Sequence, residues 1–224
     1  MVLLHGIQGS SQSWTQVAER LQGLHCILPD LPGRAGARRA QGAAAASIYH
    51  LDHFADLLHK LIDDEAQRWG ERVSVAGWSM GVSVLLQVWE RYGGAAIDRM
   101  ALLSGSPLPR EATWFKSCVP DDIVREAEER ARRLNLKEPA DPLTVALSLR
   151  SARELDHRGV LKAIDRPVLV VHGDADEQSP LEHGRWIAQG ISGAQWVELA
   201  GVGHAVLDEA EVEVARCLKR FFLG

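Results

Sequence analysis

Short, mostly apolar runs alternate along the chain with stretches whose apolar positions recur every three to four residues. The runs lie near residues 2–5, 25–29, 73–77, 99–104, 167–172 and 195–199. Their alternation with helical patterns predicts an α/β fold on a mostly parallel sheet of about six strands. After the first run, Ser-Ser-Gln-Ser-Trp-Thr-Gln-Val-Ala-Glu-Arg-Leu predicts a helix with a serine N-cap that stops at Gly23. A longer helix is predicted from Ser47 to about Trp69, with Ile48, Leu51, Phe54, Ala55, Leu58, Leu61 and Ile62 on one face and Gly70 beyond its end. The Ala/Gly/Arg-rich segment leading to Ala46 reads as a mobile, solvated loop.

Some sixty residues separate the run ending at Ser104-Gly105 from the one at Pro167, too many for a plain crossover. This divides the chain into a core, 1–105 and 166–224, and an insert, 106–165, with helical patterns near 121–135 and 141–150. The insert holds 11 Lys plus Arg and 11 Asp plus Glu, so the chain's whole net charge of −5 sits outside it. That negative balance argues against a nucleic-acid or anionic-membrane binder. Three cysteines form an odd set without metal-like spacing. Cys26 in an apolar run and Cys217 in an amphipathic helix read as buried free thiols in a reducing compartment. With no leader ahead of Val2 and no apolar run near membrane-spanning length, the expectation is a soluble, cytoplasmic protein.

One stretch carries chemistry. Val73-Ser74-Val75-Ala76 runs into Gly77-Trp78-Ser79-Met80-Gly81, and a helical pattern follows at once. A strand that turns into a helix within one residue strains the serine and requires small residues two before and two after it, which makes this a nucleophile elbow. The turn lifts the Ser79 hydroxyl clear of the sheet and leaves the Met80 N–H at a helix N-terminus, where it can meet an oxyanion. A serine hydroxyl needs a base and the base an orienting acid. Asp174 and Asp176 both follow the fifth run, in Val-Val-His-Gly-Asp-Ala-Asp, and His204 follows the sixth, in Gly-Val-Gly-His. Working residues in open α/β sheets lie beyond the carboxyl ends of the strands, where all of these fall.

In these motifs and in the order serine, acid, histidine, the chain resembles the α/β-hydrolases over nearly its whole length. His5-Gly6 is similar to the family's oxyanion-loop motif, which implies that the Ile7 amide joins that of Met80 in the oxyanion hole. Asp30-Leu31-Pro32-Gly33 is similar to the loop after the family's fourth strand, with Ala35 where a second glycine is usual. Gly173-x-x-Asp176-x-x-x-Pro180 resembles the acid motif, favouring Asp176 over Asp174, and His204 with Glu209 the histidine motif. The family's first two strands are missing, so the run at 25–29 becomes a sheet edge. Gly77-Trp78-Ser79-Met80-Gly81, Ser104-Gly105-Ser106-Pro107 and Asp156-x-Arg158 resemble the pimeloyl-acyl-carrier-protein methyl ester esterases of biotin synthesis. That resemblance implies a carboxylesterase with a helical cap, no cofactor, a small ester substrate and an acidic acyl-carrier protein as partner.

Several residues have two readings. Trp78, Trp14, Trp114 and Phe115 line an acyl pocket or pack the cap onto the core. Arg125 and Arg132, opposite the apolar line Ile123, Ala127, Ala131 and Leu134, grip an acidic partner or belong to a salt-laced surface helix with Glu126–Arg130, Glu128–Arg132 and Glu129–Arg133 pairs. Asp30 and His172 read as structural loop residues. His50, His53 and His59 share one helix but lack a carboxylate-rich second cluster, so they read as a solvated face and no metal is expected. Acyl transfer to an alcohol or thiol would use the same three residues as hydrolysis. A ligand-binding protein without catalysis would have no need of all three.

Overall fold

The computed structural model describes residues 1–37, 39–133, 136 and 138–224. Five strands form one parallel sheet in sequence order: β1 Val2–Leu4, β2 Val73–Trp78, β3 Ile97–Leu103, β4 Val168–Gly173 and β5 Gln195–Leu199. Side chains alternate between two faces, and both faces are apolar. Val2, Leu4, Val75, Met100, Leu102, Val168 and Val170 point into one core, and Leu3, Ala76, Ala101, Leu103, Leu169 and Val171 into another. This double burial is why β1, β4 and the inner part of β3 read as apolar runs, whereas the edge strand β5 carries exposed Gln195 and Glu198.

The expected sixth strand, 25–29, reaches the edge but forms only a bridge, Val2 to Ile27. The Met1 ammonium donates to His25 O, Ile27 N–H to Met1 O, and Leu3 N–H to Ile27 O. The next donor along a parallel ladder would be residue 29, which is proline and has no N–H. Pairing therefore stops one step after it begins.

Helices cover both faces. On the first, α2 (Ala43–Ile48), α3 (Leu51–Trp69) and α4 (Met80–Tyr92) pack together. On the second, α1 (Thr15–Arg20) lies against α9 (Glu211–Leu223), with the short α8 (Val206–Glu209) beside it. Helix α7 (Leu181–Gly190) packs on β4 and β5. The predicted helix from Ser47 is in fact two, broken at Tyr49–His50. Tyr49 is fully buried with its hydroxyl on the backbone N–H and C=O of Ala40. His50 is extended and caps α3, its Nδ1 accepting from Asp52 N–H. The loop before α2 is not simply solvated, because Leu31, Gly33 and Arg34 are buried. Ala35 takes φ 43°, the left-handed region usually left to glycine.

Between β3 and β4 lie α5 (Pro120–Arg133) and α6 (Pro142–Arg153). Ile123, Ala127, Val145, Ala146, Leu149 and Ala152 join the same apolar cluster as α3 and α4. Leu134, placed on that apolar line from the sequence, is outside the described residues. The expected i,i+4 pairs of α5 do not close among the described residues. Glu126 accepts from Lys116 N–H at 3.0 Å, Arg125 pairs with Asp122, and Arg130 turns inward to Trp114 O at 2.8 Å. The three cysteines are free, Cys26 and Cys217 only half-buried and Cys118 exposed. Among the described residues no helix is long and apolar enough to cross a membrane.

Candidate active site

The parallel register sets the carboxyl ends of β1, β2, β4 and β5 along one edge of the sheet. Ile7 follows β1, Ser79 follows β2, Asp176 follows β4 and His204 follows β5. Ser79 has φ 56° and ψ −120°, a strained conformation for a non-glycine residue. Its N–H donates to Leu103 O at 2.9 Å, tying the turn to the neighbouring strand. A Cβ on Gly77 would stand 2.6 Å from the Gly81 backbone, and one on Gly81 2.6 Å from Leu4 O. Both glycines are thus required by backbone contact. Met80 is the first residue of α4, so its N–H has no acceptor within the helix. The Ile7 N–H also meets no backbone acceptor among the described residues.

A continuous chain of hydrogen bonds joins three buried side chains. Ser79 Oγ lies 2.8 Å from His204 Nε2, and His204 Nδ1 lies 2.9 and 3.0 Å from the two oxygens of Asp176. Asp176 Oδ1 also accepts from the N–H groups of Gln178 and Ser179, each at 2.8 Å. Burial alone would raise the Asp176 pKa. Hydrogen bonds from His172, His204 and Ser179 outweigh it and hold the carboxyl well below its usual range. An ionised Asp176 requires the proton on His204 Nδ1, which leaves Nε2 free to accept from the Ser79 hydroxyl. Asp174 is exposed and accepts from Gly201 N–H at 2.6 Å, away from the histidine. Glu209 accepts from Gly203 N–H at 2.7 Å and so holds the loop that carries His204.

The four aromatic residues weighed as pocket lining are all engaged in packing, Trp14 fully buried in the core of the second face. Trp78 donates from Nε1 to His204 O at 3.0 Å. Trp114 is 2% exposed and donates to Ser179 Oγ at 2.9 Å, and Phe115 is buried beneath the Arg130 guanidinium. Arg125 and Arg132 are exposed. Asp30 holds Ser11 through its N–H and hydroxyl. His59 stacks on Tyr92, and His50 serves as the helix cap already described.

Sequence reading missed three features around the site. His5 is fully buried; its Nδ1–H donates to Gly6 O and its Nε2 accepts from Leu31 N–H, while desolvation and the charge of Arg34 push its pKa down to about 4. His172, read as a structural loop residue, lies instead in β4, fully buried, and adds a donor to Asp176. The turn carrying that donor set is clamped from the 106–165 segment: Thr113 N–H donates to Gln178 O at 2.8 Å, and Arg130 donates to the Gln178 side chain.

The model of the alpha/beta hydrolase family matches residues 1–216. The chain belongs to the alpha/beta hydrolase family. Among curated relatives, this hydrolase is 27% identical to a pimeloyl-[acyl-carrier protein] methyl ester esterase of Nitrosomonas europaea, over 92% of this chain and 88% of the relative. It is 23% identical to Lipase 3 of a Moraxella species, over 99% of this chain and 76% of the lipase. Among solved structures it superposes on a thermophilic esterase from Thermogutta terrifontis with a TM-score of 0.75 and 22% identity, covering 99% of this chain and 88% of that one. It matches an Exiguobacterium antarcticum esterase with a TM-score of 0.81 and 17% identity, covering 100% and 91%. At those identities the structural likeness speaks for the fold.

Proposed function

We propose that this hydrolase is a serine carboxylesterase that cleaves short to medium-chain carboxylic esters through an acyl-enzyme. The observation that carries the reading is the buried relay from Ser79 Oγ through His204 to Asp176, with contacts of 2.8 and 2.9 Å. In the first half-reaction Ser79 Oγ attacks the ester carbonyl as its proton passes to His204 Nε2. The imidazolium, facing ionised Asp176, then gives that proton to the leaving alkoxide, which departs as the alcohol. In the second half-reaction His204 takes a proton from water, the hydroxide adds to the acyl carbonyl, and Ser79 leaves with the proton returned. The amides of Ile7 and Met80 hold the oxyanion in both halves. Support for that role is their lack of backbone partners and the positive end of α4.

Residues 106–165 act as a cap over this site in our reading, with Trp78, which donates to His204 O, beside the acyl group and with Trp114 and Phe115 packing the cap onto the core. The curated relatives named as esterases and lipases favour ester substrates. The cap is charged and among its described residues has no long apolar face to dock on a lipid surface, which favours small esters over long-chain lipids. A pimeloyl ester on an acidic carrier protein fits the same reading, with Arg125 and Arg132 on the exposed face of α5 as the contact, in a cytoplasmic setting.

An ester panel tests this, with acyl length varied and the leaving group held constant, run beside a carrier-bound methyl ester. Turnover should peak at short or medium acyl chains. Reversing Arg125 and Arg132 to glutamate should slow only the carrier-bound substrate, and the effect should fade as salt screens the pairs. Equal slowing of free and carrier-bound esters would remove the carrier from the proposal.

A further inference from the structure

Arg34 is fully buried, yet it faces no carboxylate among the described residues. Its guanidinium donates to Pro32 O and Ile7 O at 3.0 Å each and to Ser148 Oγ of α6 at 3.3 Å, it touches Met80 Sδ at 3.9 Å, and it lies 5.0 Å over the Phe54 ring. Its Nε has no partner. Every acceptor it meets among the described residues is neutral. Buried charges in proteins are ordinarily paired, since an unpaired ion in a low-dielectric interior is costly. The two ionisable groups that weigh on it do not compensate it. His5 is held neutral by its own burial, and Tyr49 is a phenol hydrogen-bonded to Ala40. Burial lowers the Arg34 pKa only to about 9, so the group remains a cation at neutral pH.

Two of its contacts are Ile7 and Met80, whose amides are the oxyanion donors of the reading above, on which this inference rests. We propose that Arg34 is a positioning residue for the oxyanion site: it fixes residue 7 through its carbonyl and sets an uncompensated positive charge behind the two donor amides. In the resting protein that charge is a cost. When Ser79 adds to a carbonyl and its proton passes to His204, the new alkoxide forms at the Ile7 and Met80 amides, on the two residues that Arg34 touches through Ile7 O and Met80 Sδ, and the cost is partly relieved. An interaction stronger in the transition state than in the ground state accelerates the chemical step. The low dielectric that makes the charge costly also lets its field reach the site. Ser148 lies on α6 of the proposed cap, so the same guanidinium ties cap and oxyanion loop together.

The test varies the charge at constant shape. Arg34→Met removes the cation. Ser148→Asp leaves the arginine in place but gives it a carboxylate partner, and Ser148→Asn is the neutral match for that change. Each is assayed for ester hydrolysis, for inhibition by a trifluoromethyl ketone that adds to Ser79 as an anionic hemiketal, and for inhibition by the matching trifluoromethyl carbinol, which cannot add. Arg34→Met and Ser148→Asp should lower kcat by about 10- to 100-fold with little change in KM, and weaken the ketone by the same factor. The carbinol should bind as before, and Ser148→Asn should stay within about threefold of the parent. Should Arg34→Met fail to fold, the Asp and Asn variants at 148 decide the matter. If those two behave alike, or ketone and carbinol weaken together, Arg34 is a packing residue and the inference is wrong while the esterase reading stands. If the parent protein neither hydrolyses esters nor binds the ketone at Ser79, the esterase reading fails and takes this inference with it.

Discussion

His172 Nε2 lies 3.3 Å from Asp176 Oδ2, the same oxygen that His204 Nδ1 approaches to 2.9 Å. His172 also donates to Ser179 O at 2.8 Å, which requires a proton on Nε2, and its Nδ1 is buried without a partner among the described residues. His172→Phe keeps a ring in place and deletes that donor. The variant should lose about 1–3 kcal/mol of stability at pH 7, because Ser179 O is left buried and unsatisfied. Urea denaturation reads this directly; an unchanged midpoint would mean that the contact contributes nothing.

The buried histidines give stability a pH dependence of definite sign. Burial lowers the folded pKa values of His5 and His157 to about 4, so the unfolded chain binds protons more readily than the folded one. Their contribution is complete about one unit above pH 6.5, where both states are neutral, and declines as pH falls through 6.5 toward 4. Asp176, held below its usual range, adds a loss that begins only under about pH 4. Stability should therefore fall steadily from pH 6.5 to 4.5, by up to roughly 3 kcal/mol per histidine. His157→Gln, away from the site, should flatten the slope; a profile level over that interval would contradict the burial argument.

Two aspartates two residues apart provide the sharpest mutational contrast. Asp176→Asn puts an amide opposite His204 Nδ1 and favours the wrong tautomer, which costs on the order of 10⁴-fold in a serine protease. Asp174→Asn keeps an oxygen for Gly201 N–H and should leave turnover within about threefold, as surface changes away from the chemistry do. Steady-state kinetics on any ester that the protein turns over separates the two, and a larger loss at Asp174 would reverse the assignment.

Much of this was legible in the chain because it is written locally. The elbow needs glycines at 77 and 81 for contacts within a few residues and with one neighbouring strand, and double burial makes the inner sheet strands apolar runs. The edge run at 25–29 looked like the others, but one missing N–H at Pro29 ends its pairing. The break before α3 was hidden because Tyr49 leaves the helix for an acceptor and donor nine residues back, a preference that helical periodicity does not record. Arg34 was the hardest case. It stands in an Ala/Gly/Arg-rich segment, and its burial depends on Ile7 and Ser148, which lie 27 and 114 residues away. Arg130 was misread for the same reason, since its acceptor on Gln178 is 48 residues distant.

The central claim is that Ser79 is a nucleophile activated by His204, and covalent labelling with a fluorophosphonate tests it most directly. Intact mass should show one adduct per chain, and peptide mapping should place it on Ser79. His204→Ala should slow labelling by several powers of ten, and Ser79→Ala should abolish it. Combining both changes should reduce ester turnover little beyond either alone, since residues that act as a unit do not add. An adduct on another residue, or protein that hydrolyses esters while Ser79 stays unlabelled, would contradict the account.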